Sequence, residues 1–167
     1  VDFIFVNGDK VIKELSIIIP VFNEKDAVLD VISGLHALFA ETDIKYEIIT
    51  VNDGSTDGSR EILEKNNQIK VIHHPYNRGY GAALKTGIKK ALYDYICIID
   101  ADNTYPIAAV KEMLEFLPDY DMVVGARTGL NVDIPFAKKF AKLFITKLVN
   151  YLVGTKIVDL NSGFRIF

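Results

Sequence analysis

Two carboxylates pose the first chemical question. Asp100 and Asp102 close the apolar run Tyr95-Ile96-Cys97-Ile98-Ile99 as an Asp-Ala-Asp triplet. At positions i and i+2 of an extended chain, both side chains point to one face. Hard oxygen donors placed together suit a divalent cation such as Mg²⁺ or Mn²⁺. A cation held by only two carboxylates keeps open positions. Those positions can take the oxygens of a substrate diphosphate and offset charge growing on a leaving group. An Asp-x-Asp triplet alone is common, and a solvated turn is the competing reading. Its place at the end of an apolar run is what gives it weight.

Other polar residues fall at equivalent places. The apolar run at 15–20 leads into Phe22-Asn23-Glu24, that at 46–51 into Asn52-Asp53-Gly54, that at 69–73 ends in His73-His74, and that at 121–125 leads to Arg127. Asp53 stands where a carboxylate accepts a hydrogen bond from a nucleobase imino group, or serves the turn alone. Pro20 cannot donate to a sheet ladder and marks the end of its strand. Glu24 either bonds a ribose hydroxyl or begins the next helix, where acids are favoured. Ser55, Thr56 and Asp57 carry N-cap chemistry.

The stretch Asn77-Arg78-Gly79-Tyr80-Gly81-Ala82-Ala83 is glycine-rich, but position 84 is Leu, so the Gly-x-Gly-x-x-Gly dinucleotide pattern fails. Its glycines read as a tight turn and close helix packing. Arg78 either touches an anionic ligand or is solvated. His73 and His74 have no Cys or second His at ligand spacing and read as structural. No serine-histidine-acid arrangement is legible.

The elements that must position these groups alternate. Residues 15–20, 46–51, 69–73, 95–99 and 121–125 are β-branched-rich and nearly continuous in apolar residues. Strands buried on both faces of a parallel sheet read this way. Helices are expected at 26–39, 57–66, 80–93 and 106–117, the last opening on Pro106. The alternation predicts an α/β fold, an open and mostly parallel sheet flanked by helices with right-handed crossovers. In such sheets ligands bind outside the carboxyl ends of the strands. The polar residues above therefore gather along one rim. Residues 1–14 suit a hairpin turning at Asn7-Gly8, with no function assigned.

Composition bounds the rest. The chain has 167 residues, half of them hydrophobic, with a formal net charge of -3. That suits a compact domain and gives no footprint for nucleic acid. Cys97 reads as a small buried hydrophobe, and one cysteine allows no internal disulfide, which fits a reducing compartment. No signal peptide is visible, and no apolar run reaches the roughly 18 residues of a spanning helix. The first residue is Val and the last residues stop in mid-pattern, so a piece of a longer protein, cut at its C-terminus, is expected. Residues 135–156 hold Lys138, Lys139, Lys142, Lys147 and Lys156 and no acid, which puts +5 there and -8 on the remainder of the -3 chain. Residues 135–154 read as a basic amphipathic helix. It packs on the core with a solvated lysine face, or lies at a membrane interface near anionic headgroups.

Five motifs in order carry a resemblance: Pro20-Val21-Phe22-Asn23-Glu24, Asn52-Asp53-Gly54-Ser55-Thr56-Asp57, Asp100-Ala101-Asp102, Gly125-Ala126-Arg127 and Asn161-Ser162-Gly163-Phe164-Arg165. Across residues 15–167 the chain resembles glycosyltransferase family 2, in particular its dolichyl-phosphate mannose synthase and polyprenyl-phosphate glycosyltransferase branch. The resemblance implies a single catalytic domain over 1–167 with the nucleotide-diphospho-sugar transferase (GT-A) fold. It implies that Pro20, Phe22, Glu24 and Asp53 line the nucleoside site, and that Asp100 and Asp102 hold Mg²⁺ or Mn²⁺ with the donor diphosphate. It also implies that Arg127 and Arg165 meet phosphate groups. The implied reaction is inverting transfer of a hexose from a GDP- or UDP-linked sugar to a polyprenyl or dolichyl phosphate, at the cytoplasmic face of a membrane.

The chain departs from that pattern in two places. Thr104 and Tyr105 follow the second acid where Gln or Ser is frequent, which puts a third metal ligand in doubt. The Gln-x-x-Arg-Trp motif of processive synthases is absent, and the chain has no Trp.

A lipid phosphate is already a charged nucleophile and needs no general base. A saccharide hydroxyl acceptor would need one, and Asp102 and Asp159 are the candidates. Two rivals stand beside this reading. A nucleotidyltransferase should carry a basic glycine-rich loop after its first strand, where this chain has Val21-Phe22-Asn23-Glu24. A non-catalytic sugar-nucleotide or membrane-surface binding module would lose only affinity when Asp100 and Asp102 are changed.

Overall fold

A strand with no polar face has to be covered on both sides, and that requirement organises the molecule. The computed structural model describes residues 2–7, 12–126 and 162–167. Strand β1 is Asp2–Asn7 and β2 is Glu14–Val21, the latter buried at every position after Glu14. β3 (Lys45–Asn52), β4 (Lys70–His73) and β5 (Ile96–Ile98) follow, then β6 (Tyr120–Ala126) and β7 (Arg165–Ile166). They form one seven-stranded sheet in the order β1-β6-β7-β5-β2-β3-β4. The ladders β2–β3, β2–β5 and β3–β4 are parallel, with Ile17 opposite both Ile48 and Cys97.

The pleat divides the core. Leu15, Ile17, Ile19 and Val21 point to one face, with Cys97 and Ile99. There they meet α1 (Val28–Ala40), α2 (Ser59–Glu64) and α4 (Ala109–Phe116) through Val31, Leu35, Leu63, Val110 and Met113. Ile18 points to the other face with Ile49, Val51, Ile96 and Ile98, under Ala83 of α3 (Tyr80–Ile88). Each fully buried Ile or Leu contributes about 1.5–3 kcal/mol by leaving water. The close packing expected of Gly79 and Gly81 is not found, since an added Cβ meets nothing within 4 Å at either; the glycine of α3 that packs closely is Gly87, where a Cβ would run into Ile18 and Val51.

Two features differ from the sequence expectations. Asp2–Asn7 does not make a hairpin with the strand after it. Its ladder is antiparallel to β6, pairing Asp2 with Ala126 and Val6 with Met122, with an irregularity before Asn7. The apolar edge of β6 offers it a longer ladder than a local turn would. The second feature is β7, which the sequence gives no periodicity to reveal. It inserts antiparallel between β5 and β6, with Ile166 opposite Cys97 and Val123, and Arg165 opposite Ile98 and Val124. β6 thus still runs in the direction of β2 to β5, although it does not touch them. Because β7 runs the other way, its preceding residues, Ser162 to Phe164, arrive at the rim where β5 ends. The basic segment 135–154 lies outside the described residues.

Candidate active site

The carboxyl ends of β2, β3 and β5 and the start of α3 enclose a cleft of about 320 Å³. Pro20, Phe22, Glu24, Asp53, Asp100 and Asp102 all line it, with Asn77, Gly79 and Tyr80. Loops from three strands thus meet in one place, as the rim expectation required.

Pro20 sits at the end of the ladder opposite Val51, and Phe22 stands 45 % exposed at the cleft's lip. The loop after β2 is laced to the loop after β3. Asn23 N–H donates to Ser55 Oγ (3.0 Å), Glu24 N–H to Ser59 Oγ (3.1 Å) and Lys25 N–H to Asp57 Oδ2 (3.0 Å), while Thr56 N–H donates to Asn23 Oδ1 (2.8 Å). Asn23 adopts φ 59, a left-handed conformation that Asn tolerates better than most residues. The N-cap expectation changes accordingly. Asp57 Oδ1 accepts Ser59 N–H at the start of α2 (2.9 Å), whereas Ser55 and Thr56 bind Asn23 and do not cap. Glu24 precedes α1, its carbonyl accepting Val28 N–H as the helix begins, and its side chain lines the cleft. Burial, then the negative charges of Asp102, Asp57 and Asp100, push its carboxyl above the usual range.

Asp53 is 3 % exposed and heavily engaged. Its Oδ1 accepts from His74 Nδ1 (2.5 Å) and Arg78 N–H (3.0 Å), and its Oδ2 from Gly79 N–H (2.8 Å). Burial raises its pKa, but these hydrogen bonds outweigh it and hold the carboxyl below its ordinary value. Gly79 carries φ 88, so the backbone can turn both N–H groups inward. Arg78 takes part through its backbone nitrogen, and its side chain is exposed and not among the cleft lining.

Asp100 and Asp102 share the cleft, though not by strand pleat. β5 ends at Ile98, and the two aspartates sit in the following turn, with Asn103 at φ 60 and Thr104 N–H donating to Asp102 Oδ1 (3.0 Å). Asp100 Oδ1 accepts the hydroxyl of Tyr80 (2.8 Å). Burial, then the charge of Asp100 and its hydrogen bond, keep that phenol protonated far above its ordinary value. Gly163 backs Asp100 so closely that an added Cβ would overlap its carboxylate. Gly163 is fixed by its N–H donating to the buried hydroxyl of Tyr105 (2.9 Å). Tyr105 therefore holds the segment before β7 in place, and its ring packs 5.1 Å from that of Phe164. Arg165 is half-buried, and its guanidinium donates to the carbonyl of Ser162. Among the described residues no three His, Cys, Asp or Glu side chains form a set that could hold a metal. Arg127 and Asp159 lie outside the described residues.

Reading the sequence missed Tyr80, Asn77 and Gly163 as site residues and the contact of His74 with Asp53. Tyr80 carried one signal, its place at the first position of α3 beside the glycines. Nothing local pairs residues 53 and 74, or 100 and 163.

A parallel-centred sheet with helices on both faces and acids at its carboxyl rim defines the GT-A class of glycosyltransferases. The chain belongs to glycosyl transferase family 2, whose sequence profile matches residues 16–167. It is 32 % identical over 158 residues to an uncharacterized glycosyltransferase of Synechocystis, covering 92 % of this chain and 49 % of that one. It is 30 % identical over 161 residues to the low-salt glycan biosynthesis hexosyltransferase of Haloferax volcanii, covering 92 % and 38 %. The chain thus spans about half the length, or less, of these curated relatives. In structure it resembles glucosyl-3-phosphoglycerate synthase from Mycobacterium tuberculosis, crystallised with Mn²⁺, UDP and glucosyl-3-phosphoglycerate. The TM-score is 0.65 at 20 % identity over 92 % of this chain and 56 % of that one, which is a likeness of fold.

Proposed function

We propose that this domain transfers a hexose from a nucleotide diphosphate sugar, with inversion at the anomeric carbon, using a divalent cation at Asp100 and Asp102. The observation that carries the reading is the meeting of Glu24, Asp53, Asp100 and Asp102 in one cleft. Carboxylates gathered this way repel unless a cation or hydrogen-bond donors neutralise them. Donors from His74, Arg78 and Gly79 neutralise Asp53. Glu24, raised first by burial and then by the charges of Asp102, Asp57 and Asp100, shows how close these acids stand. The donor set is all oxygen, which fits Mg²⁺ or Mn²⁺, and its small size fits a cation that completes its shell with substrate and water. When bound, the cation supplies Lewis-acid stabilisation of the charge developing on the departing nucleoside diphosphate.

The chain's own residues do the rest. Pro20 and Phe22 offer apolar faces to the base, Asp53 accepts its imino hydrogen, and Glu24 takes a ribose hydroxyl. Tyr80 and Thr104 fix the aspartates so that their oxygens need not reorganise during reaction. Arg165, and Arg127 beyond the described residues, neutralise phosphate oxygens, and Arg78 can reach an anion from the cleft's margin. The acceptor oxygen bonds to the anomeric carbon as the bond to the diphosphate breaks, and that electron pair leaves with the nucleoside diphosphate.

The acceptor we favour is a polyprenyl or dolichyl phosphate at the cytoplasmic face of a membrane. The +5 charge of residues 135–156 supports it. Among the described residues, no helix is long and apolar enough to cross a membrane. A second reading, transfer to a saccharide hydroxyl, is favoured by the name of the Haloferax relative, and Asp102 or Asp159 would then serve as base.

The test gives the protein labelled nucleotide hexoses with polyprenyl phosphate or an oligosaccharide, in Mn²⁺ or in chelator. Product on the lipid, lost with chelator and reduced about 10²–10³-fold in Asp100→Asn and Asp102→Asn, is expected. Product only on the oligosaccharide selects the second acceptor. Undiminished turnover in both variants overturns the reading.

A further inference from the structure

The partners of Asp53 count its remaining capacity. A carboxylate has about four acceptor positions, two on each oxygen. His74 and the Arg78 N–H fill both positions of Oδ1, and the Gly79 N–H takes one of Oδ2. One position is left, on Oδ2, on a side chain that lines the cleft while 3 % exposed. His74 is itself 6 % exposed and held from behind, its Nε2 lying 2.9 Å from the hydroxyl of Thr86. A carboxylate only accepts, so Nδ1 carries the proton toward Asp53, while the Thr86 hydroxyl bonds Nε2 from behind. Asn77 adds a second recognition group. Its Oδ1 accepts the Gly79 N–H (2.9 Å), so its Nδ2 hydrogens are turned away from that contact.

Resting on the nucleotide-sugar function given above, we propose that His74 makes this cleft selective for a uracil-bearing donor over a guanine-bearing one. Uracil presents one imino N–H between two carbonyls, which matches one open acceptor position in a cleft that Asn77 also lines. Guanine presents two adjacent donors, N1–H and the 2-amino group, and needs both carboxylate oxygens. Its amino group would be directed at Oδ1, where two N–H donors already sit, so donor would face donor. Cytosine and adenine present a ring nitrogen acceptor at the equivalent place, which the carboxylate repels. Unpaired or opposed polar groups in a buried site are what give such discrimination its size. His74 does not touch the ligand in this account; it is a positioning residue that sets how many donors Asp53 can receive.

The experiment is calorimetric titration of the whole chain with UDP, CDP, GDP and UDP methylated at uracil N3, in Mg²⁺ and Mn²⁺. UDP should bind at least about tenfold more tightly than each of the other three. GDP or CDP binding as tightly as UDP overturns the selectivity while leaving nucleotide binding intact. Binding of none of the four overturns the function proposed above, and the selectivity with it. His74→Leu, checked for a native thermal transition, should narrow the UDP-to-GDP ratio by opening Oδ1. A purely structural histidine would weaken both nucleotides equally and leave the ratio unchanged. Thr86→Val, which removes the hydroxyl that holds His74 from behind, is the second variant: it should narrow the same ratio, and an unchanged ratio in whichever variant folds overturns the role of His74.

Discussion

Three of the four acceptor positions of Asp53 are taken by the protein, so this side chain is a structural hub, and one position remains for the ligand proposed above. Asp53→Asn replaces one acceptor with a donor facing His74, Arg78 N–H or Gly79 N–H. The expected loss at neutral pH is about 2–3 kcal/mol, the scale of hydrogen bonds to a charged group. In a chain of this size that is about 5–10 °C in Tm. The pH dependence has a definite sign. The carboxyl is held below its ordinary 3.8 in the folded protein. Its stabilisation is therefore complete above that value and is lost as pH falls through the lower folded value. The Tm gap between wild type and Asp53→Asn should be constant at pH 5–7, about the range where Asp is ionised in both states, and close below about pH 4. Thermal unfolding across that range measures it, and a gap that widens in acid would contradict the assignment.

At the scale of elements, legibility followed the range of the signal. β2, β3, β4, β5 and β6 could be read within a residue or two from their apolar runs, which burial on both faces explains for β2, β5 and the end of β3 but not for the edge strand β4, none of whose residues is buried. The acids at their ends could be read because strand ends are where such sheets bind ligands. β7 could not, because Arg165-Ile166 is too short to show a period and is a strand only by virtue of the gap between β5 and β6. The partner of β1 was equally hidden, since Asn7-Gly8 supplies local hairpin chemistry while the true ladder lies more than a hundred residues away. Asp100 and Asp102 were rightly grouped, but a turn groups them and not the pleat. The segment before β7 has a sharp test of its own. Gly163→Ala drives a methyl into the Asp100 carboxylate. Overpacking of this kind costs about 1–3 kcal/mol. The larger effect should fall on turnover, about 10²-fold in kcat, because a misplaced catalytic group is penalised steeply. Parallel measurement of kcat and Tm separates the two, and a variant with normal kcat would remove Gly163 from the site.

For the whole molecule, the sheet is continuous only because β7 bridges its two parts. On one side lie β1 and β6, on the other β5, β2, β3 and β4. Removing residues 162–167 exposes unpaired edges on β5 and β6 and withdraws Phe164 and Ile166 from the core. Unpaired edges of that kind invite association. Calorimetry of this truncated chain should show no single cooperative transition, and nucleotide titration should show no binding. A sharp transition at the parent temperature would mean that the two parts hold together without the bridge.

The place of β7 has a consequence for biosynthesis. On the ribosome, the six other described strands of the sheet emerge before it. The ladders of β2 with β3 and β5, and of β3 with β4, use only residues made before it. Until Gly163 arrives behind Asp100, the turn that carries this carboxylate lacks its backing. On the function proposed above, a chain stopped short of residue 162 would present Asp100 without that support.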